Sequence, residues 1–173
     1  MGYNTLFTIF SFVLFGALML SDNGMIARNS ELVLENQYSL AAFAFAQSVI
    51  DEATTKAFDE QTVGGIRVPD SSSFSGTPGP ETGEAPPACD NPSGPGYWSA
   101  SHFDDIDDYQ GYRRAAPDEP RLQGDTLDVR VAYVDVASPE IPAGVRTYCK
   151  RMLVTVHGPY LGRAYQVAHV FSY

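Results

Sequence analysis

Residues 6–20 read Leu6-Phe7-Thr8-Ile9-Phe10-Ser11-Phe12-Val13-Leu14-Phe15-Gly16-Ala17-Leu18-Met19-Leu20, apolar all round with no polar stripe. A helix of that kind does not have water as its solvent. Counted from Tyr3 to Ser21 it would run roughly 28 Å, close to the ~30 Å hydrocarbon core of a bilayer. The side chains expected to contact lipid or other copies are Leu6, Phe7, Ile9, Phe10, Phe12, Val13, Leu14, Phe15, Leu18 and Leu20. A cleavable secretory signal would carry a basic n-region and a small-x-small cleavage site. Residues 1–5 hold no Lys or Arg, and Ser21-Asp22-Asn23-Gly24-Met25 holds no Ala-x-Ala, so a retained helix is the better expectation. No basic cluster flanks it to set an orientation.

From Met25 to about Gln61 there is neither Pro nor Gly, and good helix formers dominate. Leu34, Tyr38, Ala41, Phe45 and Val49 lie along one apolar row, and Tyr38, Ala42, Ala46, Val49, Ala53 and Ala57 along its neighbour. Residues 40–46 are apolar on every side, which predicts cover on more than one surface of the helix. Gly24, with Ser21, Asp22 and Asn23 before it, predicts a kink or a softened link between the two helical segments. No heptad persists for three or four turns, so a separate coiled coil is not expected.

Residues 64–96 contain seven Gly, seven Pro and five Ser and predict an irregular loop. Beyond it the period changes to two. Leu127, Val129, Val131 and Tyr133 alternate with Asp128, Arg130 and Ala132; Tyr148, Met152, Val154 and Val156 form a second alternating set, and Tyr165, Val167, His169 and Phe171 a third. These predict strands at 126–136, 146–157 and 164–172, with turns at 138–144 and 158–162. Such short connections demand antiparallel neighbours. One face of that sheet needs cover, and the second half of the long helix is the partner of sufficient length. The expected fold class is α+β. Its four pieces are a hydrophobic helix over 1–24, an amphipathic helix over 25–63, the loop over 64–96 and a sheet-bearing head over 97–173.

Charge sharpens this division. Residues 1–21 carry no charged side chain, 22–63 carry net −5, 64–96 net −3, 97–125 net −4 and 126–173 net +2. With 11 Lys+Arg against 21 Asp+Glu, a general nucleic-acid partner is not expected. No phosphate-binding Gly-rich loop, His-Glu-x-x-His, Gly-x-Ser-x-Gly or Cys-x-x-Cys is present, and His102, His157 and His169 are far apart, so an enzyme is not expected. His169 shares its strand face with Tyr165, Val167 and Phe171 and reads as a structural histidine.

Asp104, Asp105, Asp107 and Asp108 form the densest carboxylate group. They repel one another unless a cation or hydrogen bonds neutralise them, and hard oxygen ligands suit Ca²⁺. The EF-hand pattern fails at Gln110 and Ala116. A solvated turn with Asx-type bonds to its own backbone is the favoured reading, with Ca²⁺ at these four residues the alternative. Cys89 and Cys149 are the only cysteines. In an exported chain an isolated pair is expected to bond, closing a 60-residue loop and constraining the unfolded chain by roughly 4 kcal/mol; two free thiols are the other possibility.

The layout and one local sequence carry a family resemblance. Phe103-Asp104-Asp105-Ile106-Asp107-Asp108-Tyr109-Gln110-Gly111-Tyr112 is followed by Leu127-Asp128-Val129-Arg130-Val131-Ala132-Tyr133-Val134 and then by Lys150-Arg151-Met152-Leu153-Val154-Thr155-Val156. With the uncharged helix ahead of them, these segments resemble type IV pilins and pseudopilins, in style the minor pilins of the mannose-sensitive haemagglutinin pilus type. Family members carry Glu at the fifth mature position; if Gly2 preceded the cleavage point, that position here would be Phe7. The resemblance implies a structural filament subunit, with copies of itself, the membrane and a pilus or secretion assembly machinery as partners. It implies the inner membrane before assembly and a cell-surface filament afterwards. The alternatives are a minor pilin or secretion pseudopilin, and a signal-anchored exported binding protein that does not polymerise.

Overall fold

A computed structural model describes residues 2–92 and 96–173. Residues 93–95 of the expected loop, and Met1 of the expected hydrophobic helix, lie outside the described residues. The chain divides into two compact units, Met1–Gln37 and Tyr38–Tyr173. Helix α1 is a single helix over Gly2–Ala53, 52 residues long. The locally unwound link expected near Gly24 is not there: the helix is continuous through it. A helical glycine costs only about 1 kcal/mol relative to alanine, less than stopping one helix and nucleating another.

α1 stops at Ala53 and not near Gln61. Thr54 and Thr55 turn their hydroxyls back onto the carbonyls of Asp51 and Glu52, both at 2.7 Å. A short 3₁₀ segment, Glu60–Gly65, then begins at Asp59, whose carboxylate accepts the Gln61 N–H while Thr62 completes a capping box. That box gives the chain a local alternative to continuing the helix.

The head carries a five-stranded antiparallel sheet. Its strands are β1 (Arg113–Ala115), β2 (Thr126–Asp135), β3 (Ser138–Pro142), β4 (Cys149–His157) and β5 (Tyr165–Ser172), in the order β1-β2-β4-β5, with β3 paired to the end of β2. A short helix α2, Trp98–His102, precedes them. The three strands expected from alternation are β2, β4 and β5. Ser138–Pro142, expected as turn, is a strand, because the reversal is completed earlier. There Asp135 Oδ1 accepts the Ala137 N–H at 2.8 Å. Pro139 and Pro142 are tolerated because β3 pairs only with β2 and is an edge strand.

The core forms where α1 meets one face of the sheet. Ala42, Phe45, Ala46, Val49, Ile50 and Ala53 of α1 are buried with Leu127, Val129, Val131 and Tyr133 of β2, Met152, Val154 and Val156 of β4, and Phe171 of β5. Cover on every side of residues 40–46 is not met within one chain: Leu40 is 68% and Phe43 51% exposed. On β5, His169 is exposed and makes an edge contact with the Phe171 ring at 4.6 Å. Just past β4, Gly158 lies against Asp125 so closely that a Cβ there would run into the carboxylate.

Candidate functional site

The first expected site is the apolar part of α1. Leu6, Phe7, Ile9, Phe10, Phe12, Val13, Leu14, Phe15, Leu18 and Leu20 are all more than half exposed in the single chain. The most apolar 18-residue window of α1 has a mean hydropathy of 1.8 and none of it is buried. By length and composition this helix could cross a membrane.

The acidic turn is built differently from a four-carboxylate cage. Asp105 Oδ1 accepts the N–H groups of Asp107 (2.6 Å) and Asp108 (3.2 Å). Asp108 Oδ2 accepts those of Asp104 (3.0 Å) and Asp105 (3.2 Å). Asp107 points elsewhere, into an ion pair with Lys150 at 2.7 Å. Asp104 is exposed while the other three are buried. The expected Ca²⁺ set of Asp104, Asp105, Asp107 and Asp108 is therefore not brought together. The local backbone bonds expected of an Asx turn are present, but three of the four acids are sealed from solvent, which the solvated-turn expectation did not include. Burial pushes Asp105 up to about 8, with repulsion from Asp107 and Asp108 adding to it. Burial lifts Asp107 to about 6 against the pull of Lys150.

Lys150 was not singled out by sequence. It sits on the core face of β4 two residues before Met152, fully buried. Its ammonium donates to Phe58 O (2.7 Å) and Asp59 Oδ2 (2.8 Å) and pairs with Asp107 Oδ1. The Phe58 and Tyr133 rings lie 4.6 and 5.0 Å away. Burial raises Asp59, but Lys150, the Ser75 N–H and the Tyr133 hydroxyl outweigh it and hold the carboxyl below its ordinary value. The period-two register of β4 was the available signal: position 150 faces inward with 152, 154 and 156, so a cation there must find counter-charges.

A second buried network went equally unread. Arg114, 2% exposed, donates to Glu52 Oε2 (2.6 Å), Ser99 Oγ (2.6 Å) and the Tyr112 hydroxyl (2.9 Å), and its guanidinium stacks 3.8 Å above the Tyr97 ring. Tyr112 in turn donates to Asp90 at 2.5 Å, and Tyr109 to Glu52 at 2.9 Å. Both networks hold segments distant in sequence against the end of α1. They position structure, and Asp90 of the second network also lines a surface cleft with Cys89, Tyr97, Trp98 and His102.

The three histidines remain apart. His102 stacks on Trp98 with centroids 3.5 Å apart, His157 lies 3.7 Å from Asp128, and His169 rests on Phe171.

Cys89 and Cys149 are free thiols, which overturns the expected bridge. Residue 90, next to Cys89, pairs alongside β1: its N–H donates to Arg113 O and its carbonyl accepts the Ala115 N–H, both at 2.8 Å. Arg113 is in register with Asp128, and Asp128 with Thr155. Cys149 opens the same strand as Thr155, six positions away, so about 20 Å of strand separates the two ends at ~3.3 Å per residue. A disulfide needs Cα atoms within about 7 Å.

One cluster of carboxylates does converge. Glu81 and Glu84, in the Gly/Pro-rich loop, and Asp108 each place an oxygen within 4.8 Å of the others. Burial and the Asp108 charge push Glu81 up to about 7, and burial with the nearby Glu84 lifts Asp108 to about 6.

No protein-family model, curated protein or solved structure matches this chain.

Proposed function

We propose that the chain is a structural subunit of a type IV pilin-like filament, held in a membrane by α1 before assembly and joined to copies of itself through α1 afterwards. It acts without catalysis, by packing. The observation that carries this reading is the charge-free run of residues 6–20 with every large apolar side chain exposed. Burying a Leu, Val or Phe side chain is worth about 1.5–3 kcal/mol, so leaving the ten named side chains in water costs on the order of 15 kcal/mol or more. That exceeds the whole stability of many domains. Lipid removes the cost, and so does a bundle of identical helices. An uncharged helix suits both and can pass from one to the other. Leu40 and Phe43 extend the exposed apolar surface past the purely hydrophobic segment, on the part of α1 whose other face is buried against the sheet. Residues 103–112, 127–134 and 150–156 support the same family. A cell-surface location after assembly belongs to this proposal.

The test is reconstitution. Full-length protein is purified in detergent, the detergent is removed, and the product is viewed by negative-stain microscopy. Uniform fibres are expected from the natural sequence, and Phe10→Asp or Leu14→Asp should abolish them while leaving the near-UV circular dichroism of the head unchanged. Fibres formed equally by both charged variants would overturn assembly through α1. Membrane-bound monomers that never polymerise would favour the signal-anchored binding protein.

A further inference from the structure

We propose that Glu81, Glu84 and Asp108 form a binding site for a hard divalent cation, Ca²⁺ by its chemistry, which fastens the Gly/Pro-rich loop to the acidic turn. The inference stands apart from the filament reading.

The first ground is convergence. Two loop carboxylates and one turn carboxylate, 24 residues away along the chain, direct oxygens to within 4.8 Å of one another. Two oxygens on one Ca²⁺, at about 2.4 Å each, are never farther apart than that. The second ground is what these oxygens lack. Asp108 is fully buried. Its Oδ2 is held by two backbone N–H groups, while its Oδ1 is buried with no hydrogen-bond partner. Glu81 Oε2 and Glu84 Oε2 are buried and unpartnered in the same way. Buried polar atoms are nearly always satisfied, and three converging side chains that each keep an acceptor without a donor ask for something positive between them.

The third ground is like-charge repulsion: Asp108, Glu60 and Glu84 all press on Glu81, and Glu84 presses on Asp108. Glu60 and Asp104 add their repulsion to that of Glu84. The neighbouring Asp104 is drawn down by Lys56. Lys56 spends its ammonium on the carbonyls of Ala100 and Phe103, at 3.2 and 2.7 Å. A ligand set of carboxylates alone selects a hard ion, and a flexible loop fits the larger, less exacting shell of Ca²⁺ better than the strict octahedron of Mg²⁺. Glu81 and Glu84 are only half-buried, so water can fill the remaining positions. The bound ion would do for this loop what a disulfide at Cys89 does not.

Trp98, the single tryptophan, supplies a reporter, since its indole N–H reaches the Glu84 carbonyl at 3.4 Å. Full-length protein in detergent is freed of metal with chelator and titrated with Tb³⁺ under tryptophan excitation. Sensitised emission is expected, displaced by Ca²⁺ and largely lost in Trp98→Phe. Saturating Ca²⁺ should raise the melting temperature by at least about 3 °C, and far more than equal Mg²⁺. Trp98→Phe should keep that rise, whereas Glu81→Gln together with Glu84→Gln should lose it and melt at or above the natural protein in chelator. If the double variant does not fold, Glu84→Gln alone should weaken Ca²⁺ binding about tenfold or more. A melting temperature unmoved by millimolar Ca²⁺ would overturn the site. So would a Ca²⁺ response that survives in the glutamine variants, or Tb³⁺ emission undiminished by Trp98→Phe.

Discussion

Arg114 Nη2 lies 2.6 Å from Glu52 Oε2, so the last turn of α1 is bound to the outermost strand of the sheet by an ion pair across 62 residues of chain. The arginine is buried and the glutamate nearly so, and the same guanidinium also serves Ser99 and Tyr112. Lysine has one nitrogen and cannot reach three acceptors in that plane. Arg114→Lys is expected to lower unfolding free energy by about 2 kcal/mol, and Arg114→Met by about 3–5 kcal/mol, because Glu52 is left without its counter-ion. Urea denaturation of the detergent-solubilised chain, followed by near-UV circular dichroism, measures both.

Lys150 balances Asp59 and Asp107 where no water reaches. Lys150→Met should destabilise by about 3–5 kcal/mol, since it strands two carboxylates. Adding Asp59→Asn and Asp107→Asn should recover part of the loss. If the triple variant is no more stable than Lys150→Met, the cost does not come from the stranded charges.

Acid should expose both pairs. Glu52 and Asp59 are held below their ordinary values of 4.5 and 3.8. For Glu52, burial works upward, and the Arg114 charge with hydrogen bonds from Ser99, Arg114 and Tyr109 prevails. A depressed carboxyl contributes fully above its unfolded value, and that contribution disappears as pH falls through the folded one. Stability should therefore drop as pH falls well below 3.8, the ordinary value of Asp59. Asp105 and Asp107, whose values are raised, are protonated in both states well below pH 3.8 and do not oppose the loss. Glu52→Gln should flatten the acid limb, which chemical denaturation at stepped pH reads directly.

Gly158→Ala is expected to cost about 1–3 kcal/mol, because its Cβ would displace the buried Asp125 carboxylate. Gly158→Ala combined with Asp125→Ala should cost less than the sum of the two single changes, as shown by a double-mutant cycle in urea.

Phe43→Lys should leave the melting temperature of the head within about 1 °C, since surface substitutions away from special features are nearly neutral. The same change should reduce fibre yield if the outer side of α1 packs on neighbouring copies. Light scattering after detergent removal distinguishes this from a purely structural role.

The elements read most directly from sequence were those with long periods to count. α1 announced itself by composition and by Ala42, Phe45, Ala46, Val49 and Ala53 on one face; β2 and β4 did so by strict alternation. β1 has three residues, too few for a period, and exists because β2 offers it a partner. Helix continuity through Gly24 and the stop at Ala53 depended on local energies of about 1 kcal/mol, which residue type alone does not rank. The chemistry was harder still. Four aspartates adjacent in sequence looked like one site, yet their side chains leave the turn in different directions, and Asp108 finds its fellow carboxylates in a loop 24 residues earlier. Lys150 and Arg114 look like ordinary surface cations until strand register places them inside.

The Asp59 carboxylate receives the Gln61 N–H, the N–H and hydroxyl of Ser75, the Tyr133 hydroxyl and the Lys150 ammonium. Ser75 belongs to a loop made mostly of glycine, proline and serine, where amides ordinarily trade their protons for deuterons almost at once. Here that one amide shares its acceptor with two strands of the core. Its exchange should keep time with β4 and lag far behind its loop neighbours, so that one stretch of the loop opens only when the sheet does.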